Sequence, residues 1–152
     1  MKRVIATAMG VLIMTSSADA APPRPVVEHF GKPLLNGERL PFSSAVRVGD
    51  ILYLSGAIGR GPDGKPPPGI EAQTRATMDD IGETLKLAGL GYDRIFHCTV
   101  MLSDMNNWAA FNTIYVGYFP DGPLPARSAF GANGLALGAL IELECQAYAG
   151  ER

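Results

Sequence analysis

The apolar and polar positions of the chain change period several times, and each change predicts an element. Val46 and Val48 alternate ahead of Gly49-Asp50, and Ile51 to Ile58 is rich in β-formers behind it, which predicts two strands joined by a turn. "RGPDGKPPPG" then breaks the pattern, because three consecutive prolines continue neither strand nor helix. Thr74, Met78, Ile81, Leu85 and Ala88 recur at spacings of 4, 3, 4 and 3, the buried face of a helix that Gly89 is placed to end. "DRIFHCTVMLSD" reads as a near-continuous apolar strand of the kind covered on both faces. Ser103 or Asp104 can cap a second helix, whose stripe of Trp108, Phe111, Tyr115 and Tyr118 reads as core packing in preference to an aromatic ligand box. "PDGP" ends that helix, and two strands follow around Arg127 to Ala132 and Ala139 to Ala149. The order β-β-α-β-α-β-β predicts an α+β fold, a mixed sheet with two helices packed on one face.

The last strand has two unlike faces. Ile141, Leu143, Cys145 and Ala147 point one way, toward the helices. Glu142, Glu144, Gln146 and Tyr148 point the other, and periodicity alone leaves open whether Glu142 meets water or belongs to a site.

The first twenty residues change the picture of the N-terminus. "MKRVIATAMGVLIMTSSADA" runs from Lys2 and Arg3 through a short apolar core to Ala18-Asp19-Ala20, the order of a secretory signal peptide cleaved after Ala20. Its apolar run is shorter than the roughly 20 residues that span a bilayer. The protein is therefore expected in the periplasm or outside the cell, and its Pro-rich start, "APPRPVVEHFGKP", is expected to be poorly ordered. Removing Lys2, Arg3 and Asp19 takes the formal net charge from −2 to −3. With no basic run and no aromatic-basic interleaving, the balance argues against gripping nucleic acid through its phosphates. After export Cys98 and Cys145 remain, an even count that admits a disulfide. Both lie in strand-like apolar runs, where free cysteine packs as a small hydrophobe; that reading is preferred because bridge geometry is demanding.

Familiar ligand motifs fail on their context. Gly59, Gly61 and Gly64 match G-x-G-x-x-G, but Pro66, Pro67 and Pro68 stand where a dinucleotide site needs a helix to begin. Gly64-Lys65 suggests a phosphate loop, yet Pro66 replaces its Ser or Thr. His97 and Cys98 are strand neighbours on opposite faces, so they cannot share a metal, and no metal site is expected.

"GIEAQTRATMDDI", "MLSDMNNWAAFNTIY" and "PARSAFGANGLALGALIELE" resemble the RidA (YjgF) family of enamine/imine deaminases, over nearly all of the chain from Pro41 to Tyr148. The expected organisation is then a signal peptide at 1–20, an arm at 21–40 and a RidA-like domain at 41–150. The resemblance implies a chorismate-mutase-like fold and a homotrimer with its sites in the clefts between subunits, the polar sheet face lining an interior shared by the three chains. It implies that Arg127 holds the carboxylate of a 2-imino acid and that Glu142 positions water, with Asn112, Ser55 and Gly56 binding substrate. No cofactor is implied, since an imine is already reactive. An arginine suits a carboxylate because its planar fork donates two parallel hydrogen bonds and keeps its charge. Two positions depart from the family: Phe42 stands where Tyr is common, and Ala129 where Cys is common, and both make the substrate pocket more apolar. Two other functions are weighed beside the deaminase, a non-catalytic trimer binding small carboxylates and an endoribonuclease-like member.

Overall fold

The computed structural model describes residues 24–31, 34–35 and 38–151, and the segment read as a signal peptide lies outside them. A six-stranded sheet is built from β1 (Val27–Phe30), β4 (Ala45–Val48), β5 (Ile51–Leu54), β6 (Ile95–Leu102), β7 (Ala126–Gly131) and β8 (Ile141–Tyr148), in the order β1-β4-β5-β8-β6-β7. Two-residue strands β2 (Leu34–Leu35) and β3 (Glu38–Arg39) pair separately. Helices α1 (Ile70–Leu87) and α2 (Trp108–Tyr115) pack on one face, the α+β arrangement expected.

Local sequence accounts for the element ends. Gly49, at φ 58°, turns β4 into β5. Helix α1 ends at Gly89, φ 71°, where the Gly89 amide donates to Lys86 and the Leu90 amide to Leu85, a Schellman closure. Ile70, Thr74, Met78, Ile81 and Leu85 are buried along it. Of the two candidate caps before α2, Asp104 does the work, accepting from the Asn106 amide at 2.9 Å. The glycine loop is explained by packing. Gly59 lies so close to α1 that a Cβ there would overlap the backbone of Ala76 and Thr77, and its amide donates to Thr77 Oγ1 at 3.0 Å.

Strand order carries the main surprise. Although β7 and β8 are consecutive in sequence, β8 inserts between β5 and β6, antiparallel to both, while β7 lies at the edge, parallel to β6. The strand expected to be covered on both faces, β6, is buried on the helix side only, at Cys98, Val100 and Leu102.

Two expectations are corrected. The arm is not wholly without structure: Val27–Phe30 pairs antiparallel with β4 from Val27↔Val48 to Phe30↔Ala45. Its residues are mostly exposed, so the pairing rests on backbone hydrogen bonds, which satisfy an edge that hydrophobic pattern does not announce. Cys98 and Cys145 are not free hydrophobes. The β6–β8 register sets them opposite each other with Cα atoms 4.1 Å apart, and they form a disulfide. The bridge spans 47 positions of chain, so its loss releases a long loop in the unfolded state. Urea denaturation of oxidised and reduced protein at equal concentration is expected to show the reduced form less stable by about 2–4 kcal/mol.

Candidate active site

Arg127 and Ala129 alternate on β7 with side chains toward the helices, as the register of Cys98 with Arg127 and Val100 with Ala129 requires. The Arg127 guanidinium carbon lies 4.7 Å from the ring centre of Trp108, 4.9 Å from Tyr115 and 5.3 Å from Phe111. Each ring face attracts the cation by about 0.5–2 kcal/mol, most where water is excluded. No carboxylate pairs with Arg127 among the described residues. Asn112 lies one helical turn from Trp108 and shares its side of α2, and its Oδ1 is buried without a hydrogen-bond partner. The Tyr115 hydroxyl is equally unpartnered; burial raises its pKa and Arg127 partly lowers it again.

Glu142 faces away from these groups. Ile141 and Leu143 on either side of it are fully buried against the helices, so Glu142 projects from the opposite sheet surface. It borders a cleft of about 480 Å³ with Phe42, Ser55, Gly56, Ile58 and Leu137. Gly56 is what admits it, because a Cβ at that position would fall on the Glu142 carboxylate. The Ser55 hydroxyl, in the same lining, donates to the Ser43 carbonyl at 2.7 Å, so its remaining capacity is as an acceptor. Burial, and then the neighbouring Glu144, raise the Glu142 pKa above the usual 4.5.

The seven residues singled out in sequence therefore form two groups. Arg127, Ala129 and Asn112 lie together at the β7 edge on the helix side. Phe42, Ser55, Gly56 and Glu142 lie together around the cleft. Glu142 registers with Met101, and Met101 with Phe130, three residues past Arg127. Two strand spacings separate the groups by roughly 10 Å across the sheet, with a similar distance along it and the sheet itself between. One chain does not bring Arg127 and Glu142 to a common substrate. Sequence reasoning treated Trp108, Phe111 and Tyr115 as core alone and missed their second role as the bed of Arg127. Leu137 was missed entirely, since nothing in a Gly-Leu-Ala-Leu-Gly run marks one leucine as facing a cleft.

An antiparallel sheet with a parallel edge strand and both helices on one face defines an α+β domain with a mixed sheet. Comparison with known proteins narrows that class. The family model described as Endoribonuclease L-PSP matches residues 37–149. The mouse protein named 2-iminobutanoate/2-iminopropanoate deaminase is 37% identical over 112 residues, 72% of this chain and 82% of its own. The Rid-family protein YyfA from Yersinia pestis, described as of unknown function, superposes with a TM-score of 0.74 at 34% identity, covering 81% of this chain and 99% of that one. The YjgF gene product of E. coli gives 0.68 at 31% identity, over 71% of this chain and 87% of that one. The chain belongs to the RidA (YjgF) family.

The raised pKa of Glu142 has a sign that can be measured. A carboxyl that is harder to ionise when folded leaves stability intact below pH 4.5 and removes it as pH rises through the folded value. For the separated subunit, in which no second chain brings an arginine to this carboxyl, Glu142→Gln is expected to melt at the wild-type temperature near pH 4 and above it near pH 7. Glu144→Gln is expected to shrink that difference, read by thermal melts across the range.

Proposed function

We propose that the protein is a cofactor-free hydrolytic deaminase of 2-imino acids, working as a homotrimer in which each site joins Arg127 of one subunit to Glu142 of the next. The observation that carries this is the split itself: a cation and a carboxylate, each half-buried and unpaired, lie on opposite sides of one sheet. Exposed aromatic residues Tyr53, Phe130 and Tyr148 share the open sheet face with Glu142 and Glu144, a surface suited to packing against further copies. The names of relatives such as the mouse deaminase support the substrate class.

The chemistry follows from the groups. Arg127 grips the imino acid's carboxylate with two hydrogen bonds, its aromatic bed fixing the fork without a competing counter-ion. Asn112 Oδ1, unpartnered beside it, accepts from the substrate's imine N–H. Glu142 holds a water against the C=N carbon and takes its proton as the C–O bond forms. That proton passes to nitrogen to give a carbinolamine. Glu142 then takes the carbinolamine O–H proton and delivers it to the amine as the C–N bond breaks, so that ammonia leaves a 2-keto acid. Proton transfer by a positioned carboxylate of this kind contributes about 10²–10⁴-fold, and the raised pKa of Glu142 helps it to accept the proton as well as return it. Orientation contributes the rest, since the imine needs no further activation.

Phe42 and Ala129 favour a second reading, in which the trimer binds small carboxylates without turning them over. The family model's description raises an endoribonuclease role, against which the net charge of −2 and the absence of a basic run count. An amino-acid oxidase supplying 2-iminopropanoate or 2-iminobutanoate separates these readings. Ammonia release is expected to accelerate with wild type and fall by at least about 10²-fold in Arg127→Ala or Glu142→Gln. Co-refolding those two variants is expected to restore about a quarter of wild-type activity, because every mixed cyclic trimer holds one intact Arg127–Glu142 interface. A binder would instead gain thermal stability from carboxylates and release no ammonia. Export is part of the proposal, and the protein recovered from a bacterial periplasm is expected to begin at Ala21 by mass.

A further inference from the structure

We propose that the cleft beside Glu142 contains a subsite for a bulky apolar side chain, with Leu137 and Phe42 as its two walls, so that the preferred substrates are imines of leucine-like or aromatic amino acids. This rests on the deaminase reading for the identity of the substrate, though not for the existence of the subsite.

Four observations converge on it. The cleft has a volume of about 480 Å³, within the roughly 300–1,000 Å³ of pockets that take drug-sized ligands, whereas 2-iminopropanoate has only six non-hydrogen atoms. Its lining beyond the Glu142 carboxylate is mostly apolar, including Leu54, Ile58 and Ile81. Two large side chains in that lining stay unusually wet, Leu137 at 63% and Phe42 at 54% exposure. Finally, Leu137 has φ 59° and ψ 16°, and it is the only non-glycine residue with positive φ among the described residues.

That backbone conformation brings a leucine Cβ against the carbonyl that follows, a strain that glycine avoids. Glycines at positive φ, Gly134 and Gly138, lie on either side, so the loop accommodates glycine easily. A leucine that is strained, exposed and turned to a cleft gains nothing inside its own chain. It gains by covering an apolar group that enters beside Glu142. Phe42, lacking the hydroxyl common at that position in the family, presents an apolar ring to the same space. Arg60 also borders the cleft, so an imine bearing a second carboxylate is the competing substrate.

The test compares imines made by amino-acid oxidases from alanine, leucine, phenylalanine and aspartate, alongside calorimetric binding of pyruvate and 4-methyl-2-oxopentanoate. For wild type, kcat/KM for the leucine-derived imine is expected to exceed that for the alanine-derived one by about tenfold or more, with Kd ordered likewise. Leu137→Gly, which removes the side chain and keeps the backbone, should bring both ratios near one. Leu137→Asn, which tolerates the same backbone, should do so too if Leu137→Gly fails to assemble. Equal handling of the imines, a preference for the aspartate-derived one, or ratios unchanged in both variants would overturn the subsite and leave the deaminase reading standing. If no imine is hydrolysed the deaminase reading falls, and the Kd ratio of the two keto acids then decides the subsite alone.

Discussion

Strand β8 pairs on both sides, with β5 and with β6, and its strict alternation governs what each sheet surface becomes. Ile141, Leu143, Cys145 and Ala147 are all fully buried under the helices. A slip of one residue would send Glu142, Glu144 and Gln146 into that core, a substitution of charge for hydrocarbon that the fold could not survive. The register is therefore fixed by hydrophobic burial, and the disulfide from Cys145 to Cys98 ties it at its centre. Because the register is fixed, so is the carboxylate row on the other face. Glu142 owes its position, and the proximity of Glu144 that helps to raise its pKa, to side chains that never meet a substrate.

The same sheet explains why the two charges of the proposed site are tolerated without an ion pair among the described residues. Arg127 is half-buried, and its desolvation is offset by three aromatic faces in place of a counter-ion. A guanidinium that rests on rings keeps its donors for an incoming carboxylate, whereas a salt bridge within the chain would occupy them. Glu142 escapes the full cost of burial by holding its proton more tightly. Each residue is thus accommodated by a route that does not tie it up in an ion pair within the described chain.

Much of this was legible in the chain, for reasons that are local. Helix α1 follows from the 4-3-4-3 recurrence of Thr74 to Ala88, and the two faces of β8 follow from period two. What a linear pattern cannot carry is which strand lies beside which. Arg127 and Glu142 stand on consecutive strands, which invites the assumption that they are neighbours, but β6 lies between them because β8 pairs more favourably inside the sheet than at its edge. The disulfide was misread for the same reason, since only the β6–β8 register sets Cys98 against Cys145. The β1 strand escaped because backbone pairing at an edge leaves almost no hydrophobic signature. Leu137 escaped because strain at one φ angle is invisible in composition.

The split between the half-sites has an electrostatic consequence that neither half has alone. Isolated on its own sheet face, Glu142 feels Glu144 and partial burial, both of which favour the protonated acid. In the proposed assembly a neighbouring Arg127 approaches it and favours the carboxylate, the form able to hold and deprotonate water. A bound imino acid then neutralises Arg127 through its own carboxylate and returns part of the upward shift to Glu142, so that the acid is readier to keep the proton it takes from water. Assembly sets the base, and substrate makes it a better acceptor.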